Sequence, residues 1–194
     1  PVEEDGRGTY LYNSKDMCMI EHVPELIEAG ITSFKIEGRN KTAYYAACVT
    51  GAYRAAIDTY KKDPENFVLP QFCRDEVNKV SHREYYTGFY FGNQENGQHY
   101  GDSQYIRDYE VVGMPVDCRE DGTAVFALKN RFFKGEELEL LQPGHAPYSF
   151  HAEAVNDDGE ALDLFNVPQM KVHFQFPFAV DRYAILRKKK ERPE

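Results

Sequence analysis

The clearest pattern of hydrophobic and polar positions lies between residues 40 and 63. Apolar residues recur there at intervals of three and four: Tyr45, Cys48, Val49, Ala52, Tyr53, Ala56, Ile57 and Tyr60. This period places them on one face of an α-helix. We therefore predict one long amphipathic helix after Asn40, with Cys48 on its buried face.

Shorter segments before this helix alternate between strand and helix patterns. Residues 8–13 are typical of a strand that follows a glycine, and Ile31–Ile36 contains the β-branched residues of a second strand. Between them, Val23–Ala29 has a proline in its first turn and Gly30 after its end, as helices often do. The order strand, helix, strand, helix predicts parallel βα units.

Two βα units do not complete a domain. A parallel sheet is normally covered by helices on both faces, and two units cannot supply that cover. We therefore expect residues 1–63 to be one end of a larger α/β domain, and the chain to be a piece of a longer protein. Because apolar surface would be left exposed, we also expect these residues to self-associate or rearrange.

The second part of the sequence predicts a connector and a β-rich domain. Residues 64–104 are rich in Pro, Asn, Gly and aromatic residues without a sustained period, and we predict a packed connector because aromatic rings need burial. Residues 105–190 contain six or seven strand-like segments, and Lys171–Phe176 alternates strictly. We predict a small antiparallel β-barrel or sandwich. Turns are predicted at Asp121-Gly122, Lys134-Gly135, Pro143-Gly144 and Asp158-Gly159.

Composition and charge narrow the class of protein. The 194 residues are 42% hydrophobic and 28% charged, which is enough apolar material for a folded core. The sequence contains neither a membrane-spanning apolar run nor a signal-peptide pattern, so we expect no membrane contact and a cytoplasmic location. A net charge of −9 argues against attraction of nucleic acid by the whole surface and leaves local basic patches.

Three charged residues lie at the end of the second predicted strand. Lys35, Glu37 and Arg39 would share one face of that strand, because strand side chains alternate. The C-terminal ends of strands hold the active site in α/β folds. A carboxylate between two cations suits the binding of an anionic group or the orientation of a proton donor. The alternative is a salt-bridged strand end without chemistry.

Two further clusters are candidates for substrate or RNA contact. Asn13 and Lys15 follow the first strand beside Cys18, although a turn residue and a small buried cysteine are equally typical there. Lys129 and Arg131 lie among aromatic residues, a mixture that suits stacking on RNA or a strand-to-turn junction. The basic tail Arg187–Lys190 is a second local patch.

Several site motifs are absent from the sequence. The four cysteines form no C-x-x-C pair and have no histidine at zinc-ligand spacing. The six histidines pair with no Ser or Cys in a hydrolase motif, and the glycines form no phosphate-binding loop. The sequence therefore supports no self-contained zinc site, disulfide scaffold, hydrolytic triad or nucleotide loop.

An ordered set of motifs resembles a known family. The motifs run through nearly the whole chain: Tyr12–Cys18, Ile27–Ile31, Phe34–Arg39, Tyr44-Tyr45, Val80–Gly92, Lys129–Phe132 and Gly135–Glu139. Together they resemble the collagenase-like peptidase family U32, and within it most closely the branch that hydroxylates tRNA. The resemblance implies that residues 1–63 are the last βα units of a TIM-barrel-like catalytic domain. Residues 64–104 would then connect it to a C-terminal β-barrel at residues 105–190.

The resemblance also implies an activity. Family members are named peptidases, but several resemble prephenate-dependent proteins that hydroxylate the wobble uridine of tRNA to 5-hydroxyuridine or modify a ribosomal RNA cytidine, and others act in ubiquinone synthesis. The implied function of the intact protein is hydroxylation of tRNA. The alternatives are a peptidase that cleaves peptides or collagen, and a β-barrel module that binds RNA or protein without activity.

The resemblance finally implies a cofactor and roles for residues. In the hydroxylating members four cysteines hold a 4Fe-4S cluster, and Cys18 matches the fourth, while the other three are absent from this chain. We therefore expect the cluster in the intact parent, and neither cluster nor activity in this chain alone. The implied catalytic residues on the barrel rim are Lys35, Glu37 and Arg39, and the implied substrate or RNA contacts are Asn13, Lys15, Lys129 and Arg131.

Overall fold

The computed structural model describes residues 2–6, 8–11, 13–92, 98–99 and 105–190. Within them the α-helices are α1 (Val23–Glu28), α2 (Ala43–Lys62) and α3 (Gln71–Asn78). The strands are β1 (Val2–Asp5), β2 (Gly8–Leu11), β3 (Asn13–Ser14), β4 (Asp16–Met17), β5 (Tyr85–Tyr86), β6 (Gln98–His99), β7 (Tyr109–Cys118), β8 (Thr123–Leu128), β9 (Phe132–Phe133), β10 (Glu137–Leu141), β11 (Tyr148–His151), β12 (Ala154–Val155), β13 (Leu164–Phe165), β14 (Lys171–Gln175) and β15 (Ile185–Lys189).

The chain divides into two compact units. The first unit comprises Pro1–Lys41 and Ala52–Arg107, and the second, which we call the β unit, comprises Thr42–Gly51 and Asp108–Glu194. The division falls inside α2, so each half of this helix belongs to a different unit. No helix in the described part of the chain is long and apolar enough to cross a membrane.

The first unit is built around the second half of α2. The buried core joins residues of this helix to residues in or just before α1 and α3: Ile20, Val23, Ala52, Ala56, Leu69, Cys73 and Val77. The predicted long helix is confirmed, and its N–H at Tyr45 is capped by the Thr42 hydroxyl at 3.3 Å. The predicted short helix is confirmed too, and Gly30 follows it with a φ of +82°, the left-handed conformation that ends many helices.

The predicted parallel sheet of the first unit is wrong in the described residues. Residues 31–38 form no strand, although their β-branched composition suggests one. A strand exists only where a neighbour accepts and donates its backbone hydrogen bonds, and no described segment pairs with these residues. The first predicted strand does form as β2, but it pairs antiparallel with β1.

The predicted connector contains structure that its composition does not reveal. Helix α3 buries Cys73 and Val77 in the core of the first unit, and β5 pairs in parallel with β4. The expectation that its aromatic rings are buried is wrong at the turn after β5, where Phe89 is 78% exposed and both Tyr90 and Phe91 are more than half exposed. These three aromatic residues lie in a turn, and not in a helix or strand that packs against the core.

The β unit is one curled antiparallel sheet with a small additional pair. Seven strands are hydrogen-bonded in the order β11-β10-β15-β7-β8-β14-β12, and β9 pairs separately with β13. Four strands separate β11 from β14 in this order, yet the rings of Phe150 and Phe174 are 5.7 Å apart. Only Ala152 and Glu153 join the two edge strands β11 and β12. The sheet therefore curls towards a barrel, as the alternating sequence predicts.

The interior of the curl is filled by aromatic and aliphatic side chains. Phe132 stacks on Phe165 at 4.7 Å, and Phe126 meets Phe174 edge to face at 5.9 Å. The strictly alternating segment forms β14 and alternates in burial as predicted. All four predicted turns lie between strands as expected.

Candidate functional site

Strand β4 holds the residues around Cys18 against the segment that contains β5. Their parallel pairing is fixed by backbone hydrogen bonds from Asp16 N to Glu84 O and from Cys18 N to Tyr86 O, each 2.9 Å. The Lys15 ammonium forms an ion pair with the Glu84 carboxylate at 2.9 Å. Lys15 is therefore already neutralised within this unit, and its predicted contact with substrate stays a prediction.

The Cys18 thiol faces a tyrosine of α2. The Tyr53 hydroxyl lies 3.8 Å from Cys18 Sγ and accepts the backbone N–H of Met19 at 2.8 Å. Burial raises the pKa of the Cys18 thiol above its ordinary value, and this effect outweighs the hydrogen bonds from Ile20 and Tyr53 that lower it. At neutral pH the thiol is therefore protonated, and a protonated thiol is a weak nucleophile.

A cavity of about 240 Å³ opens beside Cys18. Its wall combines aromatic, cationic and polar side chains: Cys18, His22, Arg74, Asn78, Tyr85 and Thr87. The His22 ring contacts Glu25 through Nδ1 at 3.1 Å and packs on Phe91, while Arg74 pairs with Glu21 at 2.7 Å. This volume lies below the roughly 300–1,000 Å³ that is typical of sites for drug-sized molecules.

The described residues do not form a metal centre by themselves. No group of three or more His, Cys, Asp or Glu side chains within them is placed to hold a metal ion. Cys48 belongs to the β unit, whereas Cys73 is fully buried in the core of the first unit. A four-cysteine cluster therefore does not fit this donor set, to which Cys18 brings one half-buried thiol.

The structure does not join the three predicted rim residues into one site. Lys35, Glu37 and Arg39 are exposed and lie in the segment without strand pairing, so the premise that they share a strand face is wrong. The Glu37 carboxylate accepts the backbone N–H of Arg39 at 3.0 Å. Within the described residues no ion pair links them, so their chemical roles stay predictions.

The candidate RNA contacts of the β unit lie on a turn. Lys129 and Arg131 are exposed between β8 and β9, where Lys129 N donates to Val112 O at 2.7 Å. Phe132 beside them belongs to the core, while Phe133 is 47% exposed. The side chain of Asn13 lies outside the described residues, so its predicted role is not examined by the structure.

The predicted basic tail is wrong for its first two residues. Arg187 and Lys188 belong to β15 inside the sheet, and Arg187 has no exposed side-chain surface. Its guanidinium contacts Glu139 Oε2 at 2.6 Å, the Tyr44 hydroxyl at 3.2 Å and Cys48 Sγ at 3.4 Å. Burial raises the pKa of Tyr44, which keeps its hydroxyl neutral. Only Lys189 and Lys190 remain exposed.

Tyr53 also belongs to this site, although the sequence pattern indicated only that it lies on the apolar face of α2. Its ring fits the apolar face of α2, while its hydroxyl is the partner of both Cys18 and Met19. A tyrosine on the buried face of a helix is itself a signal, because a buried tyrosine hydroxyl usually has a hydrogen-bond partner. This signal could have identified Tyr53.

Both parts of the chain match known protein families. The family model "Peptidase family U32" matches residues 2–100, and "Peptidase family U32 C-terminal domain" matches residues 107–187. The first match ends and the second begins close to the boundary of the β unit at Asp108.

Curated relatives carry two kinds of name. "tRNA hydroxylation protein P1" of Bacillus subtilis is 34% identical over 97% of this chain, and "tRNA hydroxylation protein P" of Escherichia coli is 36% identical over 83%. "Collagenase" of Porphyromonas gingivalis is 27% identical over 73%. The chain spans 45%, 35% and 40% of the lengths of these three relatives, which is less than half of each.

Proposed function

The chain belongs to peptidase family U32, and we propose that it forms part of an enzyme that hydroxylates tRNA. The observation that carries this proposal is the 34% identity to a tRNA hydroxylation protein over 97% of the chain, in both units. We further propose the wobble uridine as the target and 5-hydroxyuridine as the product, following the motifs from Tyr12 to Arg39. The collagenase relative is less similar and covers less of the chain.

The geometry at Cys18 does not support a cysteine peptidase mechanism at this residue. A cysteine peptidase needs a thiolate activated by a neighbouring base. Among the described residues, the Cys18 thiol contacts the Tyr53 hydroxyl and no histidine, and burial raises its pKa. The thiol is therefore not prepared for nucleophilic attack.

Cys18 and the rim residues receive roles within this proposal. We assign Cys18 as one of four ligands of the iron–sulfur cluster of the intact enzyme, with the other ligands outside the described residues, and derive no reaction step from that cluster. We assign Lys35, Glu37 and Arg39 to contacts with the substrate. Their exposure supports this role, because a ligand can reach them without any rearrangement of the core.

Nucleoside mass spectrometry of total tRNA tests the proposal. A strain that lacks the full-length gene should lose the hydroxylated wobble uridine and its derivatives, and a wild-type copy should restore them. A Cys18→Ala copy should not restore them, whereas a Cys118→Ala copy, which changes a thiol that also is partly exposed, should. Unchanged tRNA in the deletion strain would contradict the proposed function.

The same deletion strain tests the proposed role of Glu37. A Glu37→Gln copy should restore much less of the hydroxylated nucleoside than wild type, while Glu65→Gln, which alters another exposed carboxylate of the first unit, should restore it fully. Equal restoration by both copies would remove Glu37 from the site and leave the activity itself standing.

A further inference from the structure

Two short segments of the first unit are joined by an isolated antiparallel bridge. His82 pairs with Ile106, with hydrogen bonds from Ile106 N to His82 O at 2.8 Å and from His82 N to Ile106 O at 3.2 Å. Strand side chains alternate in direction, so the residues on either side of the bridge share one face. That face carries Arg83 opposite Tyr105, and Ser81 opposite Arg107.

Three cations converge on this face around the ring of Tyr105. Lys41 Nζ lies 4.2 Å from the ring centroid, and the guanidinium carbons of Arg83 and Arg107 lie 4.9 Å and 5.7 Å from it. We call Lys41, Arg83, Tyr105 and Arg107 the Tyr105 cluster. An aromatic face attracts each cation, but it does not carry the negative charge that would neutralise the two guanidinium groups.

Neutral groups hold the two arginines in place. Arg83 donates to Ser14 O at 2.9 Å and to the Tyr105 hydroxyl at 3.1 Å, and Arg107 Nε donates to Ser81 Oγ at 3.2 Å. The neighbouring Asp16 carboxylate accepts the backbone N–H of Arg83 and not its guanidinium. Among the described residues, no carboxylate forms an ion pair with either guanidinium.

The arginines also retain donors that the protein does not use. Arg83 Nε is buried and has no acceptor within the described structure, so it adds uncompensated charge rather than an accessible donor. Arg107 is exposed, and its two terminal nitrogens make no hydrogen bond with described residues. Positive groups gathered around one ring repel each other, and an anion that binds beside them reduces this repulsion. A guanidinium fork matches the paired oxygens of a phosphate group.

We propose that the Tyr105 cluster binds a phosphate group of the RNA backbone. The inference rests on the proposed function and deepens it, because it assigns a substrate contact to residues other than Lys35, Glu37 and Arg39. The phosphate would accept hydrogen bonds from Arg107, with Arg83 supplying further positive charge. A contact of this kind positions RNA without reading its sequence.

The salt dependence of tRNA binding tests the proposal on the full chain. Binding of fluorescently labelled tRNA is measured between about 50 and 200 mM salt for wild type, Arg107→Gln and Arg182→Gln. Arg182 is the matched control, because its guanidinium lies over the ring of Tyr183 at 4.7 Å in the β unit and is exposed. Neither substitution removes a core contact.

The expected result separates the two variants. Arg107→Gln should weaken tRNA binding about two- to fivefold at the lower salt concentration, as for loss of one exposed ionic contact. The slope of log K against log salt should also become shallower by about 0.7 to 0.9, the value for one lost phosphate contact. Arg182→Gln should match wild type in both respects.

Three outcomes would overturn the proposal. They are an unchanged slope for Arg107→Gln, an equal loss for Arg182→Gln, and calorimetric binding of inorganic phosphate at the cluster by a wild-type chain that does not bind tRNA. The nucleoside assay is independent of these results. If the slope is shallower for Arg107→Gln but the deletion strain keeps its hydroxylated nucleoside, the phosphate contact stands and tRNA hydroxylation is refuted. If the slope is unchanged but the deletion strain loses this nucleoside, the phosphate contact is refuted and tRNA hydroxylation stands.

Discussion

Two arginine sites, one in each unit, differ in how their positive charge is compensated. In the β unit, Arg187 is fully buried and paired with the Glu139 carboxylate, and Lys188 pairs with Glu136 at 2.8 Å. In the first unit, Arg83 and Arg107 gather around Tyr105 with hydroxyl and carbonyl partners. In the β unit, partly buried carboxylates balance the buried cations, which suits a role in the fold. Around Tyr105, no carboxylate among the described residues pairs with the two guanidinium groups, which suits the binding of an anion.

Removal of the buried cation should have the largest effect on stability. Arg187→Ala leaves the Glu139 carboxylate in a largely buried place without its partner, and we expect a loss of about 3–5 kcal/mol in the free energy of unfolding. Urea denaturation followed by circular dichroism measures it. Lys189→Ala, at an exposed position two residues further along the same strand, is the control and should cost little. A similar small loss for both would contradict the structural role of Arg187.

The closure of the β unit should next depend on the turn between β7 and β8. Gly122 has a φ of +87°, and a Cβ at this position would clash with the backbone oxygen of Phe176. We expect Gly122→Ala to cost about 2 kcal/mol or more, from backbone strain and overpacking together. Gly144→Ala has a similar φ of +75° in open space and should cost about 1 kcal/mol. Equal losses in the free energy of unfolding for the two variants would mean that the backbone at Phe176 moves to make room for the added Cβ.

A smaller effect is expected at Tyr53 in the first unit. Tyr53→Phe removes the acceptor of the Met19 N–H, at a cost of about 1 kcal/mol. It also removes a hydrogen bond that lowers the pKa of Cys18, so that pKa should rise further. The rate of Cys18 alkylation, which needs the thiolate, should then begin its rise at a higher pH than in wild type.

Peptide mapping by mass spectrometry resolves alkylation of Cys18 from that of the other cysteines. Tyr60→Phe is the control, because its hydroxyl donates to Glu28 and not to the thiol. An unchanged pH profile for Tyr53→Phe, or an equal shift for Tyr60→Phe, would contradict the contact between Tyr53 and Cys18.

The smallest effect on stability is expected in the Tyr105 cluster. Arg107→Gln should change the free energy of unfolding by less than about 0.5 kcal/mol, because Arg107 is exposed and its loss relieves repulsion. Urea denaturation measures this on the protein used for tRNA binding. A loss as large as that of Arg187→Ala would mean that the cluster serves the fold and would erase the difference between the two units.

Local signals in the sequence predicted several of the regular elements. The three- and four-residue spacing predicted α2, Gly30 predicted the end of α1, and the alternation of Lys171–Phe176 predicted β14. Each of these signals depends on neighbours within a few residues, so it survives whatever the rest of the chain does. Residues 31–36 carry a strand signal of the same kind, but a strand also needs a partner, and the described residues provide none.

The candidate site was predictable only in part, because its contacts join distant positions. The segment around Cys18 was identified, but its partners Tyr53 and Tyr86 lie more than thirty residues away along the chain. Arg187 belongs to a run of four basic residues that is typical of a solvated tail, and its pairing with Glu139 depends on the register of β10 and β15. The bridge that assembles the Tyr105 cluster likewise joins residues that no local pattern connects.

The most direct measurement of the central claim is the amount of hydroxylated wobble uridine in tRNA from the deletion strain, compared with the same strain carrying the wild-type gene. The account predicts loss of this nucleoside in the deletion strain and its return with the gene. Equal amounts in both strains would contradict it.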